Sequence, residues 1–91
     1  MWLYSITNKT LFRPNLLALA KAENDILILL GKRIRELRED KPLTLTELGL
    51  RCGKDRQNIY KVEKGLLNIT TKNLEKIAIA LEVDIKDLFD F

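Results

Sequence analysis

The chain of 91 residues has no histidine and a single cysteine, Cys52. Histidine is the commonest general base and the commonest transition-metal ligand, so its absence removes the usual routes to acid–base catalysis and to a metal centre. One thiol excludes an internal disulfide and a cysteine-based zinc cluster, and reads as a small apolar filler in a reducing, cytoplasmic setting. Glycine is scarce, at four residues, and forms no phosphate-cradling loop. Neither a nucleophile motif nor a pair of carboxylates in a shared apolar setting is present, so neither an enzyme nor a cofactor is expected. No apolar run approaches the ~20 residues of a membrane span. Leu16–Ala20 is too short for the core of a signal peptide and has no charged head directly before it.

What remains is an ordinary soluble composition, 46% apolar and 32% charged, enough for one domain with one modest core. The net charge is +3, but its distribution is uneven. Between Ile26 and Lys64 there are ten Lys/Arg against six acids, whereas Gly65–Phe91 holds three against five. Positive charge therefore gathers in the middle of the chain, and the C-terminal part is acidic.

Residues 1–25 read as an N-terminal extension or arm, with dimerisation as the alternative role. Trp2, Leu3, Tyr4 and Ile6 suit a short strand, Thr7–Thr10 a polar turn, and Pro14 the first turn of a helix over Asn15–Ala22. The domain proper spans 26–91. Asn24 or Asp25 can cap a helix from Ile26 to about Glu39, whose buried face is Ile26, Leu30, Ile34 and Leu37. Arg38 lies at its inner edge, and Pro42 ends it.

The centre of the domain is LTLTELGLRCGKDRQNIYKVEKG, Leu43–Gly65. Thr44 and Glu47 have the spacing of a capping box. Leu45, Leu48 and Cys52 make one apolar stripe, and Gly53 supplies the left-handed stop. Asp55 can cap a second helix, 55–64, in which Ile59 and Val62 face inward and Gly65 ends the run. Arg56, Gln57, Asn58, Tyr60, Lys61 and Lys64 point elsewhere, giving this helix a thin apolar edge and a long basic, amide-rich face. Leu66 and Leu67 follow, suited either to the surface or to folding back on the core. A fourth helix is capped by Thr70 or Thr71 and buries Leu74, Ile77, Ala78 and Leu81. Asp84 caps a short fifth with Ile85, Leu88 and Phe89, while Asp87 and Asp90 face solvent. The expected fold is all-α, a compact five-helix bundle.

From Gly31 to Phe89 the pattern resembles the phage Cro/repressor-type (XRE-like) helix-turn-helix family. GKRIRELRED resembles its opening helix, LTLTELGLRCG its second, KDRQNIYKVEKG its recognition helix and NLEKIAIALEVDIKDLF its closing pair. The resemblance implies a lambda repressor-like fold and a sequence-specific double-stranded DNA-binding transcriptional regulator. It further implies a homodimeric repressor on a pseudo-palindromic operator, with two short helices set one DNA turn apart. Arg56, Gln57, Asn58 and Lys61 fall at positions facing the major groove, and Thr44 and Leu45 where the second helix meets the DNA backbone. Gly65 and Asn68 match a phosphate-touching loop, and Glu63 an inward glutamate that pairs with an arginine, here Arg38. Gly49 departs from the usual alanine, loosening the helix contact; Leu45 replaces a frequent glutamine, and Ile69 a frequent proline.

Residue chemistry agrees. Arginine can grip guanine O6 and N7 with two hydrogen bonds, and Gln and Asn can do the same at adenine N6 and N7. Lys61 and Lys64 suit phosphate, as point charges. Tyr60 suits either the sugar-phosphate backbone or a covering role. The rival reading is an antitoxin or adaptor on the same fold, with Leu66, Leu67 and the N-terminal arm holding a protein partner such as a toxin.

Overall fold

The computed structural model describes the backbone from residue 16 to residue 91 and the side chains from residue 25 onward. The strand and turn expected over residues 2–10 lie outside the described residues. Four α-helices follow in order: α1 (Leu16–Asp40), α2 (Leu45–Cys52), α3 (Arg56–Glu63) and α4 (Thr71–Leu81). A 3-10 helix, Ile85–Phe89, closes the chain, and no strand occurs among the described residues.

The expected fifth helix is thus a single 3-10 turn, which corrects the count of five. Its bonds are of the i+3 kind, Asp87 N–H to the Asp84 carbonyl at 2.9 Å. Five residues cannot propagate an i+4 ladder, and the tighter turn suits so short a piece. A second correction concerns α1. The helices expected over Asn15–Ala22 and Ile26–Glu39 are one continuous helix, so Asn24 and Asp25 are interior rather than caps. Neither residue stops a helix as Gly or Pro would, and Leu, Ala, Lys and Glu before them are strong helix formers.

Elsewhere the caps determine the boundaries. The Thr44 hydroxyl accepts from Glu47 N–H at 3.0 Å while the Glu47 carboxylate accepts from Thr44 N–H at 2.8 Å, a complete capping box. Asp55 accepts from Asn58 N–H at 2.7 Å to start α3, and Thr70 from Asn73 N–H at 3.2 Å to start α4. Glu82 terminates α4 at φ 62°, a left-handed position held by a non-glycine residue.

The core lies where these helices cross. Ile34, Leu48, Ile59, Leu81 and Leu88 are essentially inaccessible, one or more from every helix including the last turn. Leu37, Leu45 and Leu67 pack against its margin. Ile26, expected in the buried face of α1, is instead 51% exposed. The helix has run past the end of the bundle there, so helical spacing alone has nothing to bury against.

Candidate nucleic-acid interface

Helices α2 and α3 and the turn between them form the site. Gly53 takes φ 72° after α2, and the Lys54 N–H returns to the Gly49 carbonyl at 2.8 Å. A Cβ built on Gly49 would stand 2.6 Å from the Lys54 carbonyl oxygen. Glycine at this position therefore tightens the turn instead of loosening it, because it lets backbone touch backbone.

The far end of α3 is held by α1. A Cβ on Gly31 would lie 2.4 Å from the Glu63 carbonyl oxygen and 2.6 Å from that of Val62, so no side chain separates the two helices. Seven residues further along α1, Arg38 donates from Nε and Nη2 to the two carboxylate oxygens of Glu63, at 2.6 and 3.0 Å. Its Nη1 donates to the Leu43 carbonyl at 2.7 Å, tying the α1–α2 connection into the same group. Both side chains are buried, at 9% and 7% exposure. The bond to Glu63 raises the Arg38 pKa and outweighs the burial that would lower it, so the guanidinium stays charged.

Internal pairing divides the basic residues into two groups. Arg33 donates to the Asp87 carbonyl at 2.8 Å, Arg35 pairs with Glu39 at 3.1 Å, and Lys41 with Glu82 at 2.8 Å. Arg51 donates to the Ala80 carbonyl at 3.0 Å. With Arg38, half of the ten cations between Ile26 and Lys64 are thereby tied up. Lys32, Lys54, Arg56, Lys61 and Lys64 have no ion-pair partner among the described residues. Four of those five lie on the turn or on α3 and the residue after it.

Arg56 and Gln57 open α3 and are exposed, as are Lys61 and Lys64. The Lys64 ammonium lies 5.7 Å from the centre of the Tyr60 ring, a cation–π contact on the same face. Asn58 and Asn68 are brought together around a pocket of about 100 Å³. Lys54, Thr70 and Asn73 share that lining, and sequence reasoning gave none of the three a part in the site. Thr70 registers in the sequence only as a helix cap, Asn73 only within the stretch resembling the closing pair, and Lys54 only as one charge among ten. Thr44 is exposed at the cap of α2, and Leu45 beside it packs its inner side against the core. Leu66 is 66% exposed, whereas Leu67 turns inward. Cys52 is buried, and desolvation pushes its thiol pKa up, which disfavours the reactive thiolate. Among the described residues no helix is long and apolar enough to cross a membrane, and no cluster of His, Cys, Asp or Glu could hold a metal ion.

This arrangement, a capped helix and a tight turn presenting a second helix with a free basic face, is matched by the helix-turn-helix family over residues 34–88. The chain belongs to the XRE-type helix-turn-helix family. Its members are DNA-binding transcriptional regulators. This helix-turn-helix protein is 38% identical over 69 residues to the control protein C.BamHI of Bacillus amyloliquefaciens, covering 75% of the chain and 85% of that protein. The control protein C.MunI of a Mycoplasma species is 33% identical over 67 residues, with 72% and 90% covered. Among solved structures, the restriction-modification controller protein C.AhdI from Aeromonas hydrophila superposes with a TM-score of 0.71 at 36% identity, covering 72% of this chain and 96% of that one.

Proposed function

We propose that this helix-turn-helix protein is a homodimeric repressor of the control-protein type, reading a pseudo-palindromic operator with α3 in the major groove. The observation that carries the reading is the separation of charge. The cations free of internal partners, Lys32 on α1 excepted, collect on the turn, on α3 and on the residue after it, while Arg33, Arg35, Arg38, Lys41 and Arg51 are spent on the scaffold. In this reading Arg56, Gln57 and Asn58, at the N-terminal end of α3, meet base edges. Lys61, Lys64 and Tyr60 follow the sugar-phosphate backbone on one side, and Thr44, Leu45 and Asn68 on the other. Arg38 and Glu63 touch no DNA and hold α3 at its angle.

One α3 spans only about 12 Å and can read a few base pairs, so two copies one DNA turn apart supply the missing specificity. The likeness to the restriction-modification controller protein C.AhdI suggests that the regulated genes belong to such a system. Selection from a random duplex library at several salt concentrations tests the proposal. The expected result is an enriched two-fold symmetric site with half-sites one turn apart and affinity that falls steeply with salt. Weak binding with no enriched sequence would reject it in favour of the antitoxin or adaptor reading.

A further inference from the structure

The pocket beside α3 is distinguished by the chemistry of its walls. It is bounded by the end of α2 and the turn after it, by α3, by the loop 67–70 and by the start of α4. No carboxylate lines it, and Lys54 is its one charged wall residue. Lys54 and the nearby Lys76 have no ion-pair partner among the described residues. Both ammonium groups act on the Cys52 thiol, itself part of the lining, so positive potential reaches the interior. The side-chain carboxamides of Asn58, Asn68 and Asn73 make no hydrogen bond among the described residues. Apart from Thr70, the remaining wall is apolar: Cys52, Val62, Leu67, Ile69 and Ile77.

We propose that this pocket binds a small carboxylate with a short alkyl tail, and that its occupancy weakens DNA binding. Unspent donors and a free cation suit an anionic head, and the apolar wall suits a tail. Size bounds that tail. A cavity of ~150 Å³ takes a six-carbon ring, so one of about 100 Å³ takes about four heavy atoms. Inorganic phosphate, charged all round, would set charge against Val62 and Ile77 at a desolvation cost that an alkyl tail avoids. A phosphate of the DNA backbone carries a sugar on each side, which a cavity of this size cannot admit.

The site itself needs no DNA, whereas its effect on DNA rests on the reading of α3 given above. Asn58 and Asn68 belong both to the pocket and to that DNA surface. A carboxylate that takes their amide donors and cancels the charge of Lys54 leaves less for DNA and adds negative charge beside α3. By linkage, bound DNA weakens the carboxylate by the same factor.

Nuclear magnetic resonance titration of the full chain with butanoate, in exchange for chloride at fixed ionic strength, tests the site. The expected result is saturating shifts in the carboxamide signals of Asn58, Asn68 and Asn73. Affinity should rise from ethanoate to butanoate and fall again at hexanoate, once the cavity is full. Lys54→Met and Asn73→Asp should each weaken binding about tenfold or more. Asp suits the first turn of α4, so Asn73→Asp is expected to fold, which circular dichroism verifies. Shifts that ignore tail length and both substitutions would mark an adventitious ion only, and equal binding of butan-1-ol would mark an apolar hole only; either overturns the proposal. Fluorescence anisotropy on the selected duplex tests the coupling. Butanoate should lower DNA affinity several-fold in wild type and much less in Asn73→Asp. Unchanged DNA affinity at saturating butanoate would overturn the coupling. A chain that binds butanoate but no duplex at all would reject the DNA reading and leave the site standing.

Discussion

Arg38 holds Glu63 by both carboxylate oxygens, at 2.6 and 3.0 Å, across twenty-five residues of sequence and inside the bundle. The pair joins the scaffold helix α1 to the last residue of α3, and the third Arg38 nitrogen fixes the connection into α2. Removing either partner strands the other as a buried, uncompensated charge. Glu63→Gln and Arg38→Met are each expected to cost about 3–5 kcal/mol, while Arg38→Met combined with Glu63→Leu costs less than the two singles together. Urea unfolding of the four proteins measures this. Single variants within about 0.5 kcal/mol of wild type would show that the pair contributes little to holding α3.

Gly31 sits in mid-helix, where alanine would ordinarily stabilise by about 1 kcal/mol. Here the added methyl meets two backbone carbonyls of α3 at 2.4 and 2.6 Å, and backbone cannot swing aside as a side chain does. Gly31→Ala is therefore expected to destabilise by about 1–3 kcal/mol despite its better propensity. The melting temperature reads the sign directly, and a rise would mean that α1 and α3 separate more easily than their contact suggests.

The acid limb of stability depends in part on the α2 cap. Two hydrogen bonds from Thr44, the backbone one foremost, hold the Glu47 carboxyl below its ordinary value of 4.5. A depressed carboxyl adds stability above its unfolded pKa and loses it as the pH falls through the folded value. Stability measured from pH 6 down to pH 2 should fall less steeply below about 4.5 in Glu47→Ala than in wild type. Thr44→Ala should lose about 1 kcal/mol at neutral pH from the missing cap. Parallel acid limbs in Glu47→Ala and wild type would count against the linkage.

On DNA, the two ends of α3 should behave differently. Arg56→Ala is expected to cost about 1–3 kcal/mol on the preferred site and to relax the choice of one base pair. Lys64→Ala should weaken binding to all sequences alike and reduce the slope of log affinity against log salt by about 1. Titrations on specific and scrambled duplexes separate these patterns, and two variants indistinguishable from wild type would remove α3 from the interface.

Local signals were legible in the chain. Thr44, Asp55 and Thr70 start helices because a short polar side chain satisfies an N–H that the helix itself cannot. Gly53 ends α2 because it accepts the left-handed backbone. What depends on neighbours was not legible. Asn24–Asp25 looks the same as a cap or as an interior pair, and only flanking helix strength decides between them. Ile26 continues the spacing of Leu30 and Ile34 although the bundle has ended beneath it. A glycine has no side chain to announce that backbone will approach, so Gly31 and Gly49 gave no warning of their contacts. Regional net charge likewise could not separate Arg33 and Arg51, spent on carbonyls of the scaffold, from Lys54 and Arg56, which remain free.

The contact of Gly31 with the end of α3 has a mechanical consequence. With no side chain between them, any displacement of α1 at this point presses directly on the backbone of α3. The angle of the reading helix is thereby set by backbone contact, so crowding at Gly31 should change DNA affinity without altering any residue that reads a base.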